Sequence, residues 1–100
     1  MLYYTQIIFV KKGKEDQFNL FESHVLPLLK KYNGILIYRV RPSDSAVIES
    51  TIDRPYELHV VTFPERKDFE GYSGDQERLQ YMHLKEGAIE KVLLIEGKAL

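Results

Sequence analysis

Residues 56–64 read Tyr56-Glu57-Leu58-His59-Val60-Val61-Thr62-Phe63-Pro64. In an extended chain alternate side chains point to opposite faces. Tyr56, Leu58, Val60 and Thr62 then share one face, and Glu57, His59, Val61 and Phe63 share the other. Neither set reads as a solvated face, so this is a strand covered on both sides and closed by Pro64. Residues 3–10 repeat the pattern, with Tyr4, Ile8 and Val10 set against Tyr3, Ile7 and Phe9. Two such strands call for two covering layers.

The rest of the chain supplies one. After Lys11-Lys12-Gly13, the acidic pair Glu15 and Asp16 suits a first helical turn. Phe18, Phe21, Val25, Leu28, Leu29 and Tyr32 recur at helical spacing and form one apolar stripe. Pro27 lies inside this helix and is expected to bend it. Lys30 and Lys31 fall in its last turn, and Asn33-Gly34 signals a left-handed cap. Residues 35–41 read as a second strand, stopped by Pro42. The connection bounded by Pro42 and Pro55 is long for a compact domain, and Val47-Ile48 suggests extended structure within it. Pro64 can open a helix. A short helix over 66–72 is followed by a second one, capped by Asp75, carried to about Lys85 and ended by Gly87. Residues 89–96 form a fourth strand.

The order is therefore β-α-β-β-α-β, an α+β domain over residues 1–100. Its helices cover one face of a four-stranded antiparallel sheet through right-handed crossovers. No residues remain to cover the other face. A second copy is the economical cover, and a sheet-to-sheet homodimer is expected.

The totals agree. One hundred residues make one domain, and 44% hydrophobic with 29% charged residues is ordinary globular composition. Fourteen basic side chains nearly balance fifteen acidic ones, and the basic pairs are short, so no nucleic-acid partner is expected. The absence of cysteine excludes disulfides, thiol nucleophiles and thiolate metal sites, and fits a reducing, cytoplasmic setting. No apolar run approaches the ~20 residues of a membrane helix. The N-terminal residues lack signal-peptide features, so no membrane partner is expected.

Two segments carry a resemblance. His59-Val60-Val61-Thr62-Phe63-Pro64-Glu65-Arg66-Lys67-Asp68-Phe69 resembles the strand, Phe-Pro and charged helix start of small one-domain members of the dimeric α+β barrel superfamily. Leu26-Pro27-Leu28-Leu29-Lys30-Lys31-Tyr32-Asn33-Gly34 resembles their Pro-Leu-Leu…Tyr-Gly-Gly segment, with Asn33 in place of the first glycine. The resemblance spans nearly the whole chain and implies a ferredoxin-like fold. Members include cofactor-free monooxygenases of antibiotic biosynthesis, isomerases, NIPSNAP-like proteins and many uncharacterised proteins. It implies a small-molecule-binding protein, with a cofactor-free enzyme of monooxygenase or isomerase type as one form. A non-catalytic metabolite-binding or interaction module is the other. No family catalytic pattern is carried over residue by residue, and the tryptophan that some relatives place in the pocket is missing.

The standard phosphate, zinc and nucleophile motifs are absent. What remains are polar residues on apolar faces. His59 sits mid-strand on the helix side, as an acid, a base or simply a core histidine bonded to a neighbour. Glu57, two residues away, orients His59, acts as a base, or occupies a solvated strand edge near the strand start. Arg39 shares a face with Ile35 and Ile37 and is expected inward, where it suits a carboxylate or enolate. Its alternatives are an intersubunit ion pair and a snorkelling surface position. Together His59, Tyr38 and Arg39 form the candidate catalytic set. His24 on the helix flank, Glu57, and Tyr81 on the late helix form the candidate ligand-binding set, with core boundary and helix packing as the plainer roles of His24 and Tyr81. His24, His59 and His83 match no local metal signature, so no metal or other cofactor is expected.

Overall fold

The protein, described over residues 1–100 by a computed structural model, runs β1 (Leu2–Val10), α1 (Glu15–Val25), a 3-10 segment (Leu26–Tyr32), β2 (Ile35–Val40) and β3 (Glu57–Phe63). Three short helices follow, α2 (Arg66–Ser73), α3 (Gln76–Leu79) and α4 (Met82–Ala88), and then β4 (Ile89–Gly97). The strands form one antiparallel sheet in the order β2-β3-β1-β4.

The helical stripe buries as its spacing predicts. Phe18, Phe21, Val25, Leu28 and Leu29 pack over Tyr4, Ile8, Val61 and Phe63 of the two central strands. Each large apolar side chain so buried contributes ~1.5–3 kcal/mol. Pro27 does not bend one long helix. The α-helix stops at Val25, and Pro27 opens a tighter 3-10 segment, which tolerates the lost backbone donor near its start. Asn33 caps that segment in the left-handed region, at φ 60°. Gly34 follows because a side chain there would collide: its Cβ would stand 2.7 Å from the Phe63 ring.

Other expectations shift in detail. Pro64 does not open α2: Arg66 is its first residue and Glu65 caps it, through a reciprocal capping box with Asp68. Asp75 caps the next turn as expected, accepting a 3.0 Å bond from the Arg78 amide. The late helix divides into α3 and α4 and continues past Gly87 to Ala88. Residues 42–55 hold no strand, only turns and bends, because Val47 and Ile48 find no neighbouring edge to pair with.

A bulge in β2 changes which residues face the helices. Leu36 pairs with Val61, but Tyr38 pairs with Val60, so Ile37 is the extra residue. Beyond it the alternation is offset. Arg39 falls on the helix face beside Leu36 and opposite His59, not on the face of Ile35. The open sheet face is apolar at both edges. Ile35 is 55% exposed, Tyr38 63% and Val40 48% on β2, and Leu93 is 42% and Ile95 55% exposed on β4.

Candidate functional site in the helix–sheet cleft

Strand period places Glu57 and His59 side by side on the helix face of β3, and both are buried. The reading of Glu57 as a solvated edge residue is corrected: the carboxylate is fully enclosed. Arg39 Nε donates to Glu57 Oε2 at 2.8 Å, and Arg41 Nε donates to Oε1 at 2.9 Å. Oε2 also bonds His59 Nε2. A buried carboxylate costs several kcal/mol to desolvate unless it is paired, and three donors here provide the pairing. Burial pushes the Glu57 carboxyl up, but hydrogen bonds from His59, Arg39 and Arg41 outweigh it and hold it at about 2. Arg41 is steadied in turn by Asn19 at 2.6 Å and by the Tyr56 ring at 4.8 Å.

A carboxylate accepts only, so His59 Nε2 carries the proton of their shared bond. His59 then joins the floor of a cleft between the sheet and the helices. Gln6, Glu22, Phe69, Tyr72 and Arg78 line both a narrow recess beside His59, of about 30 Å³, and the outer cleft, of about 350 Å³, which His59 does not line. The outer walls are largely apolar, with Phe21, Met82, Val92 and Leu94, and they include Lys85.

Three charged groups line this cleft without an ion-pair partner, and one buried polar atom among them, Arg78 Nε, has no hydrogen bond. Glu22, on α1, is 5% exposed and has no side-chain hydrogen bond. Burial raises its carboxyl above the ordinary value, and the nearby charges of His59, Glu57, Arg39 and Arg78 modify that rise. The Arg78 guanidinium lies 4.8 Å from the Tyr72 ring centre and gives Nη1 to the Ser73 carbonyl, yet its buried Nε has no partner. Lys85 forms no ion pair, and burial and then Arg78 lower its pKa. The Tyr72 hydroxyl is committed to the Val25 carbonyl at 3.1 Å.

Of the residues singled out from sequence, the fold brings together His59, Glu57 and Arg39, with only His59 on the wall of the recess. The bulge separates Tyr38 from them, on the opposite sheet face. His24 and Tyr81 stack on each other, ring centres 4.2 Å apart, outside the cleft. His83 is exposed, and no group of His, Asp or Glu side chains is arranged to hold a metal. Glu22, Arg78 and Lys85 were not anticipated. Glu22 had a readable signal, a carboxylate within the Phe18, Phe21, Val25 stripe. Arg78 and Lys85 sit on two helices of four and seven residues, too short for a stripe to be read.

A second, more open cleft of about 400 Å³ lies where the arm of residues 42–55 meets β1. Lys12, Arg41 and Arg54 there face Glu15, Asp53 and Glu90. Arg41 is already paired with Glu57, and Arg54 with Asp44.

No protein-family model matches the chain, and no curated protein matches it. Solved structures do. A protein of unknown function from Rhodopseudomonas palustris has a TM-score of 0.84 at 11% identity, over 99% of this chain and 82% of that one. A dimeric ferredoxin-like protein of unknown function from Jannaschia sp. has a TM-score of 0.72 at 13% identity, over 98% of both chains. The chain has the ferredoxin-like fold. An uncharacterised NIPSNAP domain protein from Burkholderia xenovorans shares it, with a TM-score of 0.73 at 10% identity over 100% of this chain and 95% of that one. The fold expected from the strand pattern is borne out, and at such identities the likeness concerns fold alone.

Proposed function

We propose that the helix–sheet cleft binds a small organic molecule and moves protons on it, as an isomerase-like enzyme built from the chain's own acid, base and cation. The observation that carries this reading is Glu22: a buried carboxyl without an ion-pair partner, in the recess with His59 and the unpartnered Arg78 Nε. Burial raises the Glu22 carboxyl, which makes it a better proton acceptor than an ordinary carboxylate. Apolar walls select a largely apolar substrate, and Arg78 suits an oxygen that gains negative charge as the proton leaves. His59, held by Glu57 through Nε2, is the second proton carrier, through the Nδ1 left free. Glu57, Arg39 and Arg41 are then positioning residues.

The same reading includes a homodimer packed sheet to sheet. Its support is the apolar open face, from Ile35 and Tyr38 at one edge to Leu93 and Ile95 at the other, together with the neighbour described as dimeric. Native mass spectrometry of freshly purified protein tests both parts. A dimer carrying an organic molecule that Glu22→Ala and Arg78→Met shed supports the reading. A monomer defeats the dimer, and a molecule retained by both variants defeats the site.

One observation favours a second reading. Ile48, in the turns of the arm, is 98% exposed, which suits contact with another protein. If deletion of residues 43–53 abolishes binding of a partner and leaves the fold intact, the arm is a recognition element. If it lowers turnover instead, the arm serves the cleft.

A further inference from the structure

We infer that Lys85 is a carbonyl-capturing nucleophile, and that the cleft takes small ketones or aldehydes by forming a Schiff base with them. The inference rests on the cleft being a small-molecule site and adds the class of substrate. Lys85 lines the cleft with Glu22 and Arg78, among apolar side chains, and forms no ion pair. An amine desolvated beside another cation is the arrangement that keeps a lysine neutral enough to attack carbon. The charged groups acting on it are known: Arg78 opposes its charge, while Glu22 and Glu86 favour it. Burial is the largest influence and lowers its pKa.

The step balances with groups present in the cleft. The neutral amine lone pair of Lys85 attacks the carbonyl carbon, and the C=O π pair moves to oxygen. Glu22, starting as the acid, gives its proton to that oxygen and takes one back from the new ammonium, leaving a neutral carbinolamine. The Glu22 acid then protonates the hydroxyl, which departs as water while the nitrogen lone pair forms the iminium. Glu22 is left as the carboxylate. The iminium acidifies the adjacent C–H, and the Glu22 carboxylate takes that proton to form an enamine. Where the carbonyl compound carries a β,γ double bond, the Glu22 acid returns the proton at the γ carbon of the dienamine, the double bond moves into conjugation with the iminium, and addition of water releases the isomerised carbonyl compound and the free amine. No oxidant or reductant takes part.

The test is reductive trapping. The protein is incubated with pentan-2-one and sodium cyanoborohydride at neutral pH, and adducts are counted by intact mass and located by peptide mapping. Nine lysines compete, among them exposed Lys11, Lys12, Lys30 and Lys98. The proposal expects one adduct per chain, at Lys85, absent in Lys85→Met and slowed at least tenfold in Glu22→Gln. Lys85→Met keeps the apolar stem, and its far-ultraviolet dichroism reports whether it folds. If Lys85→Met fails to fold, peptide mapping of the wild-type adduct decides alone. No adduct, or adducts spread over the exposed lysines, overturns the proposal. Native mass spectra taken without reductant separate the two levels. A ketone held but not trapped overturns Lys85 capture and leaves the cleft as a binding site, whereas no ketone bound in any form counts against both.

Discussion

Glu57→Gln keeps the shape of the side chain and removes the charge at the centre of the buried network. Its ordinary pKa of 4.5 is held at about 2 in the fold. At ~1.4 kcal/mol per unit, that gap corresponds to about 3 kcal/mol of stability at neutral pH. Breaking a buried ion pair by removing one partner gives a similar range, ~3–5 kcal/mol. The lower end applies, because the side chains of Arg39 and Arg41 are 32% and 50% exposed and can turn to water. For a domain of this size Tm should fall by ~12–24 °C. The sign with pH follows from a depressed carboxyl. Its contribution is fully present above 4.5 and is lost as pH falls toward about 2. The gap between wild type and Glu57→Gln should therefore be largest at neutral pH and close in acid. Urea unfolding followed by circular dichroism, at one protein concentration, measures it. A variant as stable as wild type at neutral pH, or a deficit undiminished in acid, would refute the account of Glu57 as the charge that the arginines and His59 hold in place.

Glu22→Gln should act in the opposite direction. A carboxyl raised above 4.5 destabilises the fold as pH rises through that raised value, so the variant should melt above wild type at neutral pH and match it below 4.5. Calorimetry across pH checks this, and a lower Tm at neutral pH would count against a strained, unpaired acid. Gly34→Ala should cost ~1–3 kcal/mol, because its Cβ would stand 2.7 Å from Phe63 and 3.1 Å from Leu29; unchanged urea unfolding would contradict that packing. Tyr38→Lys combined with Ile95→Lys should yield monomers in sedimentation velocity by setting like charges on the open sheet face, and an intact dimer would place the interface elsewhere.

The candidate site was legible in part, and the parts divide by the range of the interaction. His59 could be placed on the helix face because strand period is local. Arg39 was read as inward, but on the mistaken footing that it shares a face with Ile35; the bulge at Ile37 reverses the alternation, and nothing in Ile35-Leu36-Ile37 announces an extra residue. The same bulge sends Tyr38 to the far side. Glu57 reads as an edge residue because it follows Tyr56 at the start of the strand. Its burial depends on Arg39 and Arg41, which lie 18 and 16 positions away along the chain.

By itself the sequence determined the α+β class, the order of the strands along the chain, the stripe of α1 that meets the sheet and the second apolar sheet face. These follow from side-chain periodicity and from cap and turn chemistry, which act over a few residues. Only the tertiary structure decided which buried charges are paired and which are left open to the cleft. Glu57 meets three donors, whereas Glu22, Arg78 and Lys85 converge from three separate helices without pairing. The reason is physical. The state of a buried charge is set by desolvation and by partners a few ångströms away in space, and those distances exist only once β3 lies beside β2 and the helices have closed over the sheet.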